Sequence, residues 1–312
     1  MDAKSKYCIK LTSLFSPENI EIYEEQVDID SLILKLLENL ALNYGIGNVH
    51  SLYSNSYKSN KITKPFIELN NTSSLYHFRI TSSENTRIAV ALLKKGITDS
   101  ENKSLKDTQI IVVVTSPKGK PDIYLKIVKS LKEFFGNQKH IDSLFEQKNS
   151  VDIWNFFDQA NIYLPEVLLA GDIMEEIKVF LKESNNLKDA IDMFVQTGYL
   201  NIPVIDLEGN LVGEVTSQEL MEVCLPRYIL WMDDIYPIIN FESFQNLLEN
   251  EENSWLAEIL KHDCAVIQKD EPFMKAAILM TKKTTSHAYV LDDNKLIGII
   301  PLRFFLDKIL RE

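Results

Sequence analysis

Five histidines and three cysteines are the side chains of this sequence best suited to hold a metal or attack a substrate. Their spacing excludes most of that chemistry. His140, His262 and His287 lack carboxylate or cysteine partners at ligand spacing, so no metal site is expected. Cys8, Cys224 and Cys264 are odd in number, share no metal-ligand spacing, and read as reduced thiols in or near the core. Gly45-Ile-Gly47 lacks the strand-turn-helix context and third glycine of a dinucleotide site, and no Walker sequence occurs. Two pairs remain. His77 and Arg79 are two apart, a spacing that puts both side chains on one face of a strand. Thr216 and Glu219 are three apart, with a hydroxyl ready to cap a helix beginning at Ser217 and a carboxylate at its N3 position.

The elements that must position these residues belong to a globular chain. It has 312 residues, 45% of them hydrophobic and 25% charged, enough for two domains with cores of their own. The net charge of −12 is scattered along the chain, and no Lys/Arg cluster offsets it. Such a surface repels nucleic acid and anionic lipid, so neither nucleic-acid binding nor membrane insertion is expected. No apolar run approaches the ~20 residues that cross a bilayer, and residues 1–10 have no apolar signal core. A cytoplasmic location is the expectation.

Residues 29–42 carry leucines at helical spacing behind Asp28 or Asp30 as caps. Residues 87–93 and 108–114 are apolar and rich in β-branched side chains, which predicts strands. Gln109-Ile-Ile-Val-Val-Val114 shows no polar alternation and should be buried on both faces. A helix over 123–135 stops at Gly136, and residues 141–145 and 151–157 close this half. Asn-, Ser- and Tyr-rich stretches at 51–61 and 68–74 read as extended loops. The alternation of strands and helices predicts an α/β domain.

The second half repeats itself. Asn201-Ile-Pro-Val-Ile-Asp-Leu-Glu-Gly-Asn-Leu-Val-Gly213 is echoed by Ser286-His-Ala-Tyr-Val-Leu-Asp-Asp-Asn-Lys-Leu-Ile-Gly298, with the closing glycines 85 residues apart. Each copy predicts a strand, a tight turn and a second strand, with a helix before (186–197, 271–282) and after (218–224, 302–310). A β-α-β-β-α unit of this kind cannot bury its sheet alone, so the copies should pack together. The insertion 225–254 between them begins too apolar for a linker and reads as a helical excursion. Trp154, Trp231 and Trp255 lie in helical apolar stretches and read as core, as does Cys264 before Ala-Val-Ile267.

This repeat resembles the CBS module pair. Gly171-Asp-Ile-Met174 matches the family's opening phrase, which recurs as Ala257-Glu-Ile-Leu260. Ile202-Pro-Val-Ile-Asp206 and Leu211-Val-Gly-Glu-Val-Thr216-Ser-Gln-Glu219 follow in the first module. The resemblance covers 165–312, with modules at about 165–224 and 255–312. It implies adenine nucleotide (AMP, ADP or ATP) in the clefts between modules, and a homodimer formed through the pair. The family's Gly-x-x-Thr/Ser-x-x-Asp signature uses a hydroxyl and a helix N-terminus for phosphate and a carboxylate for ribose. Gly213, Thr216 and Glu219 occupy those places in the first copy, the carboxylate one methylene longer, and Ile202 and Pro203 are further ligand-binding candidates in the same module. The second copy has Gly298, Pro301 and Phe304, with neither hydroxyl nor carboxylate.

Residues 1–158 resemble the IIA domains of the fructose, mannitol and nitrogen-regulatory branch of the sugar phosphotransferase system. Tyr76-His77-Phe78-Arg79 stands where the family carries its phosphate-accepting histidine. Arg87 to Ile97, Asp107 to Pro117 and Ile123 to Leu131 keep the family's spacing downstream. The resemblance implies that His77 accepts a phosphoryl group from the carrier protein HPr or another protein of that system, with Arg79 and Lys61 as the nearby cations. The chain departs from the pattern in four places. Tyr76 replaces a proline, and the second histidine falls at Tyr124. Lys61 replaces an arginine, with loss of bidentate geometry. The usual glycine-rich approach is Ile67-Glu-Leu-Asn-Asn-Thr-Ser-Ser74. His50, in Gly45-Ile-Gly-Asn-Val-His50, would leave a long surplus before the next matching strand and is set aside.

The whole reads as a two-domain α/β protein, a IIA-like mixed sheet flanked by helices followed by a tandem CBS pair. The function expected is regulatory rather than enzymatic, at most a phosphohistidine carrier, and no cofactor is required. The alternatives are a phosphoryl-transfer component acting through His77 and a scaffold that has lost both activities.

Overall fold

A computed structural model describes residues 8–54, 66–81, 85–97, 107–224, 256 and 259–310. The chain divides into two compact units, Met1–Leu168 with Asp307–Glu312, and Leu169–Leu306. Lys61, the insertion 225–254, Trp231 and Trp255 lie outside the described residues.

The first unit runs β1 (Ile20–Tyr23), α1 (Ile29–Tyr44), α2 (Val49–Tyr53), β2 (Phe66–Asn70), β3 (Ser73–Ile80), β4 (Arg87–Leu93), β5 (Ile110–Pro117), α3 (Pro121–Phe135), α4 (Gln138–Glu146) and α5 (Ser150–Gln159). Its five strands form one sheet in the order β1-β4-β5-β3-β2. The valine-rich β5 is central, antiparallel to β4 and parallel to β3. Ile110 to Ser116 are all buried, as a strand covered on both faces requires. On one face α1 presents Leu32, Ile33, Leu36, Leu37 and Leu40 to Tyr76, Phe78, Ala89, Ala91, Ile111 and Val113. Asp28 starts this helix by accepting from the Ser31 amide, and Gly45 ends it at φ 70°, where a Cβ would be strained. The α3 helix packs on β2, β3 and β5 with Tyr124, Leu125, Ile127, Val128 and Leu131 buried.

The loop expected at 68–74 is instead a β-hairpin, with Phe66 paired to Tyr76 and Glu68 to Ser74. Its polar residues make the turn. The Asn70 carboxamide oxygen accepts from the Thr72 amide at 2.9 Å and the Ser73 hydroxyl at 2.6 Å, an Asx-type closure, while Phe66 and Leu69 are buried. In the same stretch Val49–Tyr53 is helical, capped by Asn48, where part of an extended loop was expected.

The second unit runs α6 (Ala170–Ile173), β6 (Glu175–Glu176), β7 (Leu181–Lys182), α7 (Leu187–Thr197), β8 (Asn201–Ile205), β9 (Leu211–Thr216), α8 (Ser217–Cys224), β10 (Val266–Gln268), α9 (Met274–Lys283), β11 (His287–Asp292), β12 (Lys295–Pro301) and α10 (Leu302–Phe305). The two copies form sheets β7-β8-β9 and β10-β11-β12-β6. Residues 302–310 are a short α-helix continued by the π-helical turn Leu306–Leu310. The copies differ by one turn residue. Gly213 and Gly298 are 85 positions apart, yet Val204 and Val290, which face them, are 86 apart. His287 therefore corresponds to Asn201 and Tyr289 to Pro203, one place off the register that the glycines alone suggest.

Each copy borrows its lead-in segment from the other. β6, from the phrase that opens the first copy, pairs with β12 of the second through Glu175–Ile299 and Glu176–Gly298. Lys261, from the phrase that opens the second, bridges Glu214 of β9, with mutual amide–carbonyl hydrogen bonds of 2.9 Å. Both glycines answer this approach. A Cβ on Gly213 would stand 2.7 Å from the Lys261 carbonyl oxygen and 2.9 Å from Leu260 Cδ1, and one on Gly298 would collide with Met174. We expect Gly213→Ala to destabilise the second unit by roughly 1–3 kcal/mol, the range for forcing extra volume into a packed contact, read as a lower urea midpoint with unchanged slope. An unchanged midpoint would mean that Leu260 and Lys261 yield freely.

Candidate functional site

In the first unit β3 and β5 lie side by side in register, His77 opposite Val114 and Arg79 opposite Ser116. The spacing argument holds: Tyr76, Phe78 and Ile80 enter the core against α1, which turns His77 and Arg79 to the other face. There the His77 ring stacks on Tyr124 of α3, centroids 3.8 Å apart and planes within 10°. Tyr124 is buried at 1% exposure, so the tyrosine in the place of a second histidine forms the floor on which His77 rests. His77 Nε2 shares a 2.7 Å hydrogen bond with the hydroxyl of buried Ser116. The imidazole is half-buried, oriented by a ring below and a hydroxyl at its edge. A phosphoryl group arriving at Nε2 would displace that hydroxyl, which then becomes a donor to it.

Arg79, on the same face of β3, is half-buried. Its two terminal nitrogens donate to the carbonyls of Lys308 and Ile309 at 3.3–3.5 Å, residues that count with this unit. Its Nε is shielded from solvent with no hydrogen-bond partner among the described residues. Long bonds to neutral carbonyls leave the guanidinium charge available to a stronger acceptor.

In the second unit Thr216 ends β9 and its Oγ1 accepts from the Glu219 amide at 3.2 Å, so the capping role is present. The reciprocal half of a capping box is absent among the described contacts. Glu219 Oε2 is shielded from solvent and takes no hydrogen bond from any described residue. Pro203 and Glu214 are paired across the hairpin, and Glu214 shares its strand face with Thr216. Ile202 points the other way, into a core with Leu181, Leu187, Ala190, Val204 and Val215, so it can offer a ligand only its backbone. Gly213 is spoken for by the Leu260–Lys261 approach. The matching corner of the second copy repeats the backbone: Leu302 N bonds Ser286 O at 2.7 Å as Ser217 N bonds Leu200 O at 2.9 Å. It does not repeat the chemistry, because Pro301 makes no side-chain cap there.

Sequence reasoning passed over one cluster. Glu214, 1% exposed, accepts from His287 Nε2 at 2.8 Å and from the Tyr289 hydroxyl at 3.0 Å, with Lys261 Nζ at 3.7 Å. Burial alone would raise its pKa. The hydrogen bond and charge of His287, the Tyr289 hydroxyl and Lys261 more than offset burial and hold the carboxyl below the usual range. Burial and Glu214 together push the Cys264 thiol up to about 12, so it is neutral and inert. The signal was available in the sequence: Glu214 is a lone charge inside Val-Gly-Glu-Val, where the other copy has Ile299.

Among the described residues no group of three or more His, Cys, Asp or Glu is placed to hold a metal ion. None of their helices is long and apolar enough to cross a membrane. A surface cavity of about 380 Å³ is lined by Cys8, Ile9, Lys120, Asp122, Ile123, Lys126, Leu164, Pro165 and Glu166, none of them a candidate above.

Comparison with known proteins gives each half a relation. The family profile for the phosphoenolpyruvate-dependent sugar phosphotransferase system, EIIA 2, matches residues 13–160, and that for the CBS domain matches 170–225 and 256–303. The CBS domain-containing protein CBSX1, chloroplastic, of Arabidopsis thaliana is 29% identical over 98 residues, 31% of this chain and 41% of that protein. The A-adding tRNA nucleotidyltransferase of Aquifex aeolicus is 22% identical over 209 residues, 64% of this chain and 22% of that protein. The chain thus spans less than half the length of either relative. A crystal structure of CBSX2 in complex with AMP is similar at 22% identity and a TM-score of 0.34, over 45% of this chain and 97% of that one. By the two profile matches, residues 13–160 resemble the sugar-phosphotransferase EIIA 2 domain and residues 170–225 and 256–303 a pair of CBS domains.

Proposed function

We propose that this chain is a cytoplasmic regulatory protein whose CBS pair takes one adenine nucleotide (AMP, ADP or ATP) at the Thr216–Glu219 corner and so modulates the EIIA-like domain. The observation that carries this reading is the Glu219 carboxylate, one oxygen of which is withdrawn from water and meets no described donor. A buried acceptor left without a partner costs about 1–3 kcal/mol, and a pair of ribose hydroxyls would remove that cost. The Thr216 hydroxyl and the first amides of α8 lie beside it and suit a phosphate. A homodimer through the CBS pair and an HPr-type partner for the EIIA-like domain complete the proposal.

The test is thermal unfolding of the full chain with AMP, ADP, ATP and S-adenosylmethionine in turn. A nucleotide at ~100 times its dissociation constant adds about 2.7 kcal/mol, a clear rise in midpoint. We expect the rise with at least one nucleotide, and its loss in Glu219→Ala. No rise with any of the four would sink the sensor reading and favour a scaffold.

A second reading, a phosphoryl carrier, is favoured by His77 and Arg79 sharing one sheet face with Ser116 at the imidazole. It predicts an acid-labile phosphohistidine after incubation with phosphorylated HPr, absent in His77→Ala. Label of equal amount in that variant would move the acceptor elsewhere, and no label in the unaltered chain would end the carrier reading.

A further inference from the structure

The Glu214 cluster is built like a binding site that is already full. Two donors and a cation converge on one carboxylate: His287 Nε2 at 2.8 Å and the Tyr289 hydroxyl at 3.0 Å donate to it, and Lys261 Nζ stands at ion-pair distance, 3.7 Å. His287 and Tyr289 stand two apart on β11 and face the same way, with 4% and 0% exposure. Their rings meet edge to face, centroids 4.7 Å apart, which fixes both donors. Both donors and the cation come from the second repeat, and the acceptor comes from β9 of the first. A buried imidazole and a buried phenol aimed at one point, with a more exposed ammonium nearby, are components from which proteins build anion sites.

We propose that His287, Tyr289 and Lys261 form a carboxylate-binding nest in which Glu214 is the resident, internal ligand, tying the second CBS module to the first. The nest occurs on one side of the pair only. The places that correspond to His287, Tyr289 and Glu214 hold Asn201, Pro203 and Ile299, so a neutral carboxamide replaces the imidazole and both the phenol donor and the carboxylate are missing. The bonding is self-consistent, since a carboxylate only accepts and so His287 must carry its proton on Nε2. The Thr285 hydroxyl lies 3.4 Å from the other ring nitrogen. Burial and Glu214 both raise the Tyr289 pKa, which keeps the phenol protonated as a donor. The inference does not depend on nucleotide binding at Thr216 and Glu219.

An internal ligand can be removed and replaced from solution. In full-length Glu214→Ala the thermal midpoint should fall, and ~100 mM sodium acetate should restore at least half the loss where sodium chloride of equal ionic strength does not. The unaltered chain should respond equally to the two salts. A midpoint that does not fall, or one that acetate restores no better than chloride, overturns the proposal and leaves ordinary packing. Should Glu214→Ala fail to fold, Glu214→Gln decides. Because the folded carboxyl lies below the usual range, its stabilisation is whole above the unfolded value of about 4.3 and drains away as pH falls below it. Among the described residues the charged and titratable groups facing it are His287, Tyr289, Lys261 and neutral Cys264. Glu214→Gln should flatten the acid side of the midpoint profile and gain nothing from acetate. A profile that parallels the unaltered chain overturns the proposal.

Discussion

The C-terminal half depends on a reciprocal exchange: neither repeat can complete its own packing. The segment that opens the first copy pairs with the last strand of the second through Glu176 and Gly298, and the segment that opens the second pairs with the first through Lys261 and Glu214. At the two crossings a Cβ would meet the Lys261 carbonyl and Leu260 at Gly213, and the Met174 side chain at Gly298. Two modules of β-α-β-β-α form thereby become one cooperative unit, and its interior edge is set by residues far apart in sequence. Everything asymmetric in the pair is laid on this nearly symmetric frame.

The asymmetry sorts the two sides by chemistry. One side has Thr216 and Glu219 at a helix start, with a carboxylate oxygen that has no described partner. The corresponding helix start has Pro301 and Phe304, so hydroxyl and carboxylate are both missing. Glu214 is withdrawn from the solvent and satisfied by the opposite module. Under the proposed reading, a pair that spends one carboxylate on its own assembly and leaves another without a described partner would take one ligand rather than two. In the N-terminal unit a related substitution changes the site. Tyr124, which the resemblance sets where the family has a histidine, is a buried ring that fixes the plane of His77.

Much of this was legible because it rests on short-range rules. The α1 helix follows from leucine spacing and Asp28, the central β5 from an unbroken valine run, and the tandem repeat from two phrases that end in glycine. What escaped the sequence had a physical reason in each case. Glu68 to Ser74 looks polar enough for a loop, but Asn70 closes a hairpin turn with those same polar groups. The register of β11 shifts by one because its turn is one residue shorter, and the glycines that invite the alignment lie beyond that turn. Glu214 could be flagged only as a misplaced charge, since its partners are 73 and 75 residues away. Gly213, read as part of a ligand signature, also lies under a close approach by Leu260 and Lys261 that the sequence does not announce.

The central claim is that occupancy of the Thr216–Glu219 corner is felt at His77. The most direct measurement follows the His77 ring signals by nuclear magnetic resonance in the full chain, assigned with His77→Gln, as AMP is added. The account predicts that these signals move in step with AMP occupancy and stand still in Glu219→Ala. If AMP saturates the unaltered chain while the His77 signals do not move, the two domains are uncoupled and the regulatory account is contradicted.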